Sequence, residues 1–233
     1  MSKHQVNDQH PCIALLYHIA FLNNPAFVSR ILYPASPIRI SVTYISNDAK
    51  MLSVNFSPFP TIETERLLLR SLSMDDLQQL YLLRTNEKVY THLNKATDES
   101  IQATKAKIEE ILDLQEKNDA IFWVITIKAN PQKMIGNIGY WRMQKDHYRS
   151  EVGYILHPDH WQKGIMKEAL NAVIKYGFEE MKLHSIEANI NPDNLPSGAL
   201  LESCGFIQEA YHKENYFFDG VFYDSIIYAK LNK

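Results

Sequence analysis

Cysteine is nearly missing from this chain of 233 residues. It has two, Cys12 and Cys204, and two thiols so far apart make neither a disulfide framework nor a zinc knuckle. That poverty fits a reducing compartment, so a cytoplasmic location is expected. Positive charge is not in surplus either: 24 Lys and Arg stand against 27 Asp and Glu, a net charge of −3. A weakly acidic chain lacks the clustered cations that grip a phosphate backbone, and nucleic acid is not an expected partner. No apolar run reaches the roughly 20 residues that cross a bilayer. The longest, Cys12 to Leu22, is broken by His18, and no small-x-small cleavage site follows it. Neither a membrane partner nor an export signal is expected. The nine histidines show no metal-ligand spacing, so no metal is expected.

What is present is the balance of a globular protein, 45% apolar and 22% charged. Residues 1–57 differ from the rest: Pro11, Pro25, Pro34 and Pro37 fall among few charges and no sustained period. They read as an N-terminal extension, poorly ordered or an over-long start, ahead of one domain at 58–233. Within the extension, "IRISVTYI" (Ile38–Ile45) alternates like a short strand.

From Thr61 the pattern sharpens. Glu63–Leu72 reads as a strand, and Ser73 as the N-cap of a helix with Asp75 and Asp76 in its first turn. A second helix is expected over Asp98–Lys117 and a central strand over Ala120–Lys128, apolar on both faces. Two more strands follow, "MIGNIGYWRM" and "RSEVGYIL". A helix then begins near Gly164, with Met166, Ala169, Leu170, Val173, Ile174, Gly177 and Met181 on one face. A strand at Ser185–Asn191 leads to a helix capped by Asn194, with Pro196 in its first turn and Gly205 at its end. Two strands, Phe206–His212 and Tyr223–Lys230, close the chain around "FFDG". This order predicts an α+β (mixed α/β) domain.

The stretch "HPDHWQKGIMKEAL" (His157–Leu170) ends a strand, turns, and opens a helix. The first N–H groups of a helix have no internal partner and its dipole favours negative charge. Gly164 lets a phosphate approach the backbone closely, and Lys163 adds a positive charge. A plain strand-to-helix turn would also carry a glycine. The turn is neither a Walker loop nor a G-x-G-x-x-G fingerprint.

Four stretches together resemble the GNAT superfamily of N-acetyltransferases, in the RimJ/RimL-type branch of ribosomal-protein N-terminal acetyltransferases. They are "TERLLLR" (Thr64–Arg70), "IGNIGY" (Ile135–Tyr140), "SEVGYILHPDHWQKGIMKEAL" (Ser150–Leu170) and "NINPDNLPSGALLESCGF" (Asn189–Phe206). The resemblance runs from about Thr61 to Lys230 and implies a GNAT-like acyl-CoA N-acyltransferase fold. That fold is a twisted mixed sheet of about seven strands flanked by about four helices, splayed between its fourth and fifth strands where acetyl-CoA enters. Two positions depart from the family's Q/R-x-x-G-x-G/A motif: Trp161 stands at Q/R and Met166 at the last small residue. Leu201 stands where many relatives have an acidic tyrosine.

The resemblance implies acetyl transfer from acetyl-CoA, as co-substrate, to a primary amine. The acceptor is a protein N-terminus or a small molecule, and the enzyme a monomer or homodimer. Backbone amides over Gln162, Lys163, Gly164, Ile165, Met166 and Lys167 would hold the diphosphate, and an N–H near Leu156 would polarise the thioester carbonyl. Glu151 is the candidate base, directly or through a water. An α-amine titrates near about 8, a lysine near about 10.4, so an N-terminal acceptor needs the weaker base. The leaving thiolate, with a pKa of about 8.5 by analogy with cysteine, departs without a strong acid. Ser197, or a water it holds, is the candidate proton donor, and Asn194 adds a contact to CoA. Plainer readings stand beside these: Glu151 as a strand-edge charge, Ser197 as part of a cap, Cys204 as a buried hydrophobe, His157 and His160 as solvated side chains. Of Tyr140 and Trp141, alternation lets at most one face an acceptor slot. The contrasting reading is a non-catalytic CoA-binding module.

Overall fold

The computed structural model describes residues 51–91, 93 and 96–233. The strand expected at Ile38–Ile45, and the reading of residues 1–50 as an extension, lie outside the described residues. One boundary moves. Leu52 and Phe56, counted with the extension, are 5% and 4% exposed and join the main buried cluster. The Leu52 amide donates to the Lys145 carbonyl at 2.8 Å, and the Phe56 amide to Asn118 Oδ1 at 2.8 Å. The domain therefore takes in residues 52–57 as well.

Eight strands form one sheet in the order β1-β2-β3-β4-β5-β6-β8-β7. They are β1 (Ile62–Glu63), β2 (Leu67–Ser71), β3 (Ile121–Ile127), β4 (Gly136–Gln144), β5 (Arg149–Leu156), β6 (Ser185–Ile190), β7 (Ile207–Phe218) and β8 (Val221–Leu231). The helices are α1 (Leu77–Arg84), α2 (Glu87–Tyr90), α3 (Ile101–Glu116), α4 (Ile165–Glu179) and α5 (Leu195–Ser203). Among the described residues both counts exceed the expected seven and four by one. The additions are two-residue β1 and four-residue α2, too short to carry a period. Helix α3 starts later than expected. Ser100 caps it, accepting from the Ala103 amide at 3.2 Å, while Asp98 is engaged in a bidentate pair with Arg84 at 2.6 Å.

The sheet carries a core on each face. Helix α4 puts Met166, Ala169, Leu170, Val173, Ile174 and Gly177 into the larger one, against Val152 and Leu156 of β5, Ile186 of β6 and Leu201 of α5; Met181, expected on the same helical face, is buried there too but lies past the helix end at Glu179. On the other face, Leu80 and Leu83 of α1 and Ile108 of α3 pack with Val124, with Ile155 of β5 at the margin. Successive β5 side chains thus face opposite cores, as strand alternation demands. Tyr140 is fully buried in the larger core, donating to the Val173 carbonyl at 2.9 Å.

All named strand pairs are antiparallel except β5 with β6. That parallel pairing is brief: Arg149 with Ser185, Ser150 with Ile186, Glu151 with Glu187. Beyond the Glu151–Glu187 pair the strands part, leaving one edge of β5 open from Gly153 to Leu156. The opening lies at the carboxyl ends of the two parallel strands, where open sheets take their ligands.

Candidate active site

The turn after β5 is built by its own residues. Pro158–His160 form a 3-10 turn, and the Trp161 amide donates to the Pro158 carbonyl at 3.0 Å. The Trp161 indole returns to the Leu156 carbonyl at 2.7 Å, closing the loop on the strand. Gly164 then caps α4 with φ 72° and ψ 2°, a left-handed conformation that glycine adopts without strain. The first intrahelical bond is Glu168 N–H to the Gly164 carbonyl, at 3.0 Å. The amides of Ile165, Met166 and Lys167 precede it and have no partner within the helix. The side chains of Ile165 and Met166 are buried in the core, while Gln162, Lys163, Gly164 and Lys167 are exposed. Ile165 and Met166 can thus serve a ligand only through their backbone. Lys163 Nζ bonds the Asp159 carbonyl at 2.7 Å. Burial, aided by the charge of Lys163 and by His157, holds the His160 imidazole below its ordinary pKa and neutral at pH 7.

Strand geometry decides what faces the gap. The His157 amide points to β4, bonding the Ile135 carbonyl at 2.8 Å. By alternation the amides of Leu156 and Tyr154 point the other way, toward β6, where β5 has lost its partner. The Leu156 amide expected as a donor therefore lies on the open edge, and the Tyr154 amide shares it.

Ser197 lies across this gap from β5. Its Oγ sits 2.7 Å from the Tyr154 hydroxyl, and its amide is capped by Asn194 Oδ1 at 3.2 Å. Burial, only partly offset by the Ser197 hydrogen bond, pushes the Tyr154 phenol up to about 12, so it stays protonated. Tyr154 is the residue that sequence reasoning missed. It lies in the quoted "VGYIL", but only the fold shows that its hydroxyl meets α5. Leu201, at the position of the absent tyrosine, is fully buried. Cys204 is 7% exposed, and burial pushes its thiol up, which suits a small hydrophobe.

Glu151 occupies the opposite face of β5. Arg142 reaches it at 3.2 Å and stacks its guanidinium 4.4 Å from the centre of the Trp141 ring. Of the two aromatic residues on β4, it is therefore half-buried Trp141 that shares the Glu151 face. A Cβ added at Gly153 would meet its indole at 3.4 Å. Glu187 lies beside Glu151 in register and pairs with Arg149 at 2.9 Å. These four charges, with Asn189 and Ile227, line a pocket of about 220 Å³ at the point where the strands divide. A larger, shallower hollow of about 460 Å³ lies at the other end of these strands, around Tyr148 and His184. The site thus holds Glu151 on one side of the gap and the Tyr154–Ser197 pair on the other. Among the described residues, no group of three or more His, Cys, Asp or Glu is placed to hold a metal ion. Among them, too, no helix is long and apolar enough to cross a membrane.

The Acetyltransferase (GNAT) domain family matches residues 66–207, from the start of β2 to the start of β7. The chain belongs to the GNAT acetyltransferase family. It is 30% identical over 171 residues to the uncharacterized N-acetyltransferase YoaA of Bacillus subtilis, covering 73% of this chain and 96% of that one. It is 43% identical over 70 residues to the [Ribosomal protein uS5]-alanine N-acetyltransferase of Escherichia coli, 30% of this chain and 36% of that one. The crystal structure of spermidine N-acetyltransferase from Vibrio cholerae, in complex with CoA and spermine, shares the fold. Its TM-score is 0.64 at 24% identity, over 72% of this chain and 96% of that one. As a GNAT member this protein is an N-acetyltransferase.

Proposed function

We propose that the protein transfers the acetyl group of acetyl-CoA, in the cytoplasm, to a single-charged primary amine, with a peptide α-amine as the preferred acceptor. The observation that carries this reading is the pocket at the fork. It holds two glutamates and two arginines, with Arg142 on Glu151 and Arg149 on Glu187. A site for a polycation needs an excess of carboxylates, and here the charges cancel. One ammonium can sit against Glu151 and Glu187. Further cations, as on spermidine, would meet the guanidiniums, whereas peptide carbonyls beside an α-amine would accept hydrogen bonds from them and from Asn189.

In this reading the amides from Gln162 to Lys167 hold the diphosphate, and Asn194 borders the cofactor arm. The arm runs down the open edge of β5. The Leu156 amide lies nearest the turn. The Tyr154 amide lies two residues, or about 6.6 Å, closer to Glu151, and we assign it the thioester oxygen. Glu151, directly or through water, takes a proton from the ammonium. The freed amine nitrogen attacks the thioester carbon, the new C–N bond forms, and the C–S bond breaks. The departing thiolate takes a proton from the Ser197 hydroxyl, Tyr154 returns one to Ser197, and the second proton of the amine nitrogen, released to solvent as the amide forms, balances the one Tyr154 draws back from solvent.

The test is release of free thiol from acetyl-CoA with a panel of peptide N-termini, N-blocked lysine peptides and spermidine. Peptide α-amines should give the highest kcat/KM, and Glu151→Gln should lower kcat by roughly 10²-fold or more. Turnover fastest on spermidine would refute the acceptor assignment, and full activity of Glu151→Gln would remove the base.

A further inference from the structure

Helix α4 carries a carboxylate where a diphosphate site should have none. Glu168 stands in its first turn, four residues past Gly164 and about 6 Å along the axis. That is inside the Debye length of about 8 Å at physiological salt, so an uncompensated Glu168 would repel an anion seated on the turn. It also draws on the same positive helix end that the anion would use.

The strand-side partners of Glu168 come from the β1–β2 corner. Thr64 Oγ1 donates to its Oε1 at 2.5 Å, as does the Arg66 amide at 2.9 Å, and Arg66 Nε bonds its Oε2 at 2.6 Å. Both carboxylate oxygens are therefore engaged by one short segment. These bonds outweigh the effect of burial and hold the Glu168 carboxyl below its ordinary pKa. Arg66 goes further than the ion pair. Its Nη1 donates to the Lys163 carbonyl at 3.0 Å, and its Nη2 lies 3.4 Å from where a Cβ on Gly164 would be. Bonding the Lys163 carbonyl fixes the plane of the Lys163–Gly164 peptide and so the direction of the Gly164 N–H, since the two groups are opposed across a trans amide.

We propose that Arg66 is a positioning residue for the coenzyme. Its guanidinium cancels the Glu168 charge, aligns the Lys163–Gly164 peptide, and so makes the mouth of α4 receptive to a diphosphate. This rests on the reading of the Gly164 turn as the CoA diphosphate site. A lysine cannot do all of it, because one ammonium lacks the planar fork that spans a carboxylate and a carbonyl at once.

The test is calorimetric titration with CoA, together with steady-state kinetics, on wild type, Arg66→Ala, Arg66→Lys and the double variant Arg66→Ala/Glu168→Ala. Arg66→Ala should raise both the Kd for CoA and the KM for acetyl-CoA about tenfold at low salt, while kcat at saturation changes less than about twofold. Arg66→Lys should fall between. Adding Glu168→Ala to Arg66→Ala should recover most of the lost affinity, because the repelling charge has gone with its partner. A merely structural role would not produce that recovery. CoA affinity in Arg66→Ala within twofold of wild type overturns the proposal, as does a double variant no better than the single. If Arg66→Ala does not fold, a wild-type KM in Arg66→Lys overturns it equally. Wild type that fails to bind CoA sinks the parent reading as well, and so is distinguishable from a failure of Arg66 alone.

Discussion

Replacing Gly164 with alanine separates two roles of one residue. The left-handed φ of 72° costs an L-residue about 1–2 kcal/mol. Space is not the difficulty: a Cβ would find Arg66 Nη2 at 3.4 Å, an ordinary contact, in an exposed turn. Ligand-free protein should therefore lose about 1–2 kcal/mol, or roughly 2–4 °C in melting temperature per kcal/mol for a domain of this size. Binding should suffer more. The methyl group stands where a diphosphate oxygen must approach the amides, and each charge-assisted hydrogen bond contributes about 1.5–3 kcal/mol. The Kd for CoA should rise roughly tenfold to a hundredfold. Thermal unfolding without ligand and calorimetric titration read the two effects separately. A melting temperature that falls as expected while the Kd stays within twofold would refute the assignment of the turn.

Three further outcomes follow from the geometry. Tyr154→Phe removes the hydroxyl beside Ser197 Oγ, and should lower kcat about three- to tenfold with little change in KM for acetyl-CoA, read by thiol release. Gly177→Ala would drive a methyl group into the hydroxyl of fully buried Tyr140, displacing its bond to Val173; a loss of about 1–3 kcal/mol is expected in urea unfolding. Asp98 is held below its ordinary pKa by Arg84 and Thr104, against the effect of burial. A depressed carboxylate contributes stability above its unfolded pKa and loses it as pH falls through the lower folded value. Asp98→Asn should therefore lower the urea midpoint at about pH 7, with the gap to wild type closing below about pH 4.

The parts of the fold legible in the sequence were those with a strong period. Strand β5 has the bounds of "RSEVGYIL", and the expected seven-residue stripe is buried throughout, six of its residues on α4 and Met181 just past the helix end. The final hairpin is longer than its sequence pattern predicts. Strand β7 runs on to Phe218, but its exposed outer half, with Lys213, Glu214 and Asn215, offers no alternation to read. Residue type and order single out Glu151, Ser197 and the Gly164 turn as candidates. They do not single out Tyr154, because its meeting with Ser197 spans 43 residues of sequence and depends on where α5 lands. The partners of Glu151 and Glu168 were hidden for the same reason: Arg142 reaches across β4 to β5, and Arg66 lies 102 residues from Glu168.

Among the described residues, three cross-strand pairs, with the His184 and Ser185 amides on the Tyr148 carbonyl, stitch the leaf β1–β5 to the leaf β6–β8. Coenzyme laid along the seam, offering amides of its own, would act as a guest strand and close the two leaves into one continuous surface. The enzyme would then be stiffest while loaded and loosest just after product departs, so its rigidity would be borrowed afresh with each cycle. Slowed hydrogen exchange at Tyr154 and Leu156 on adding CoA is the signature of that stiffening.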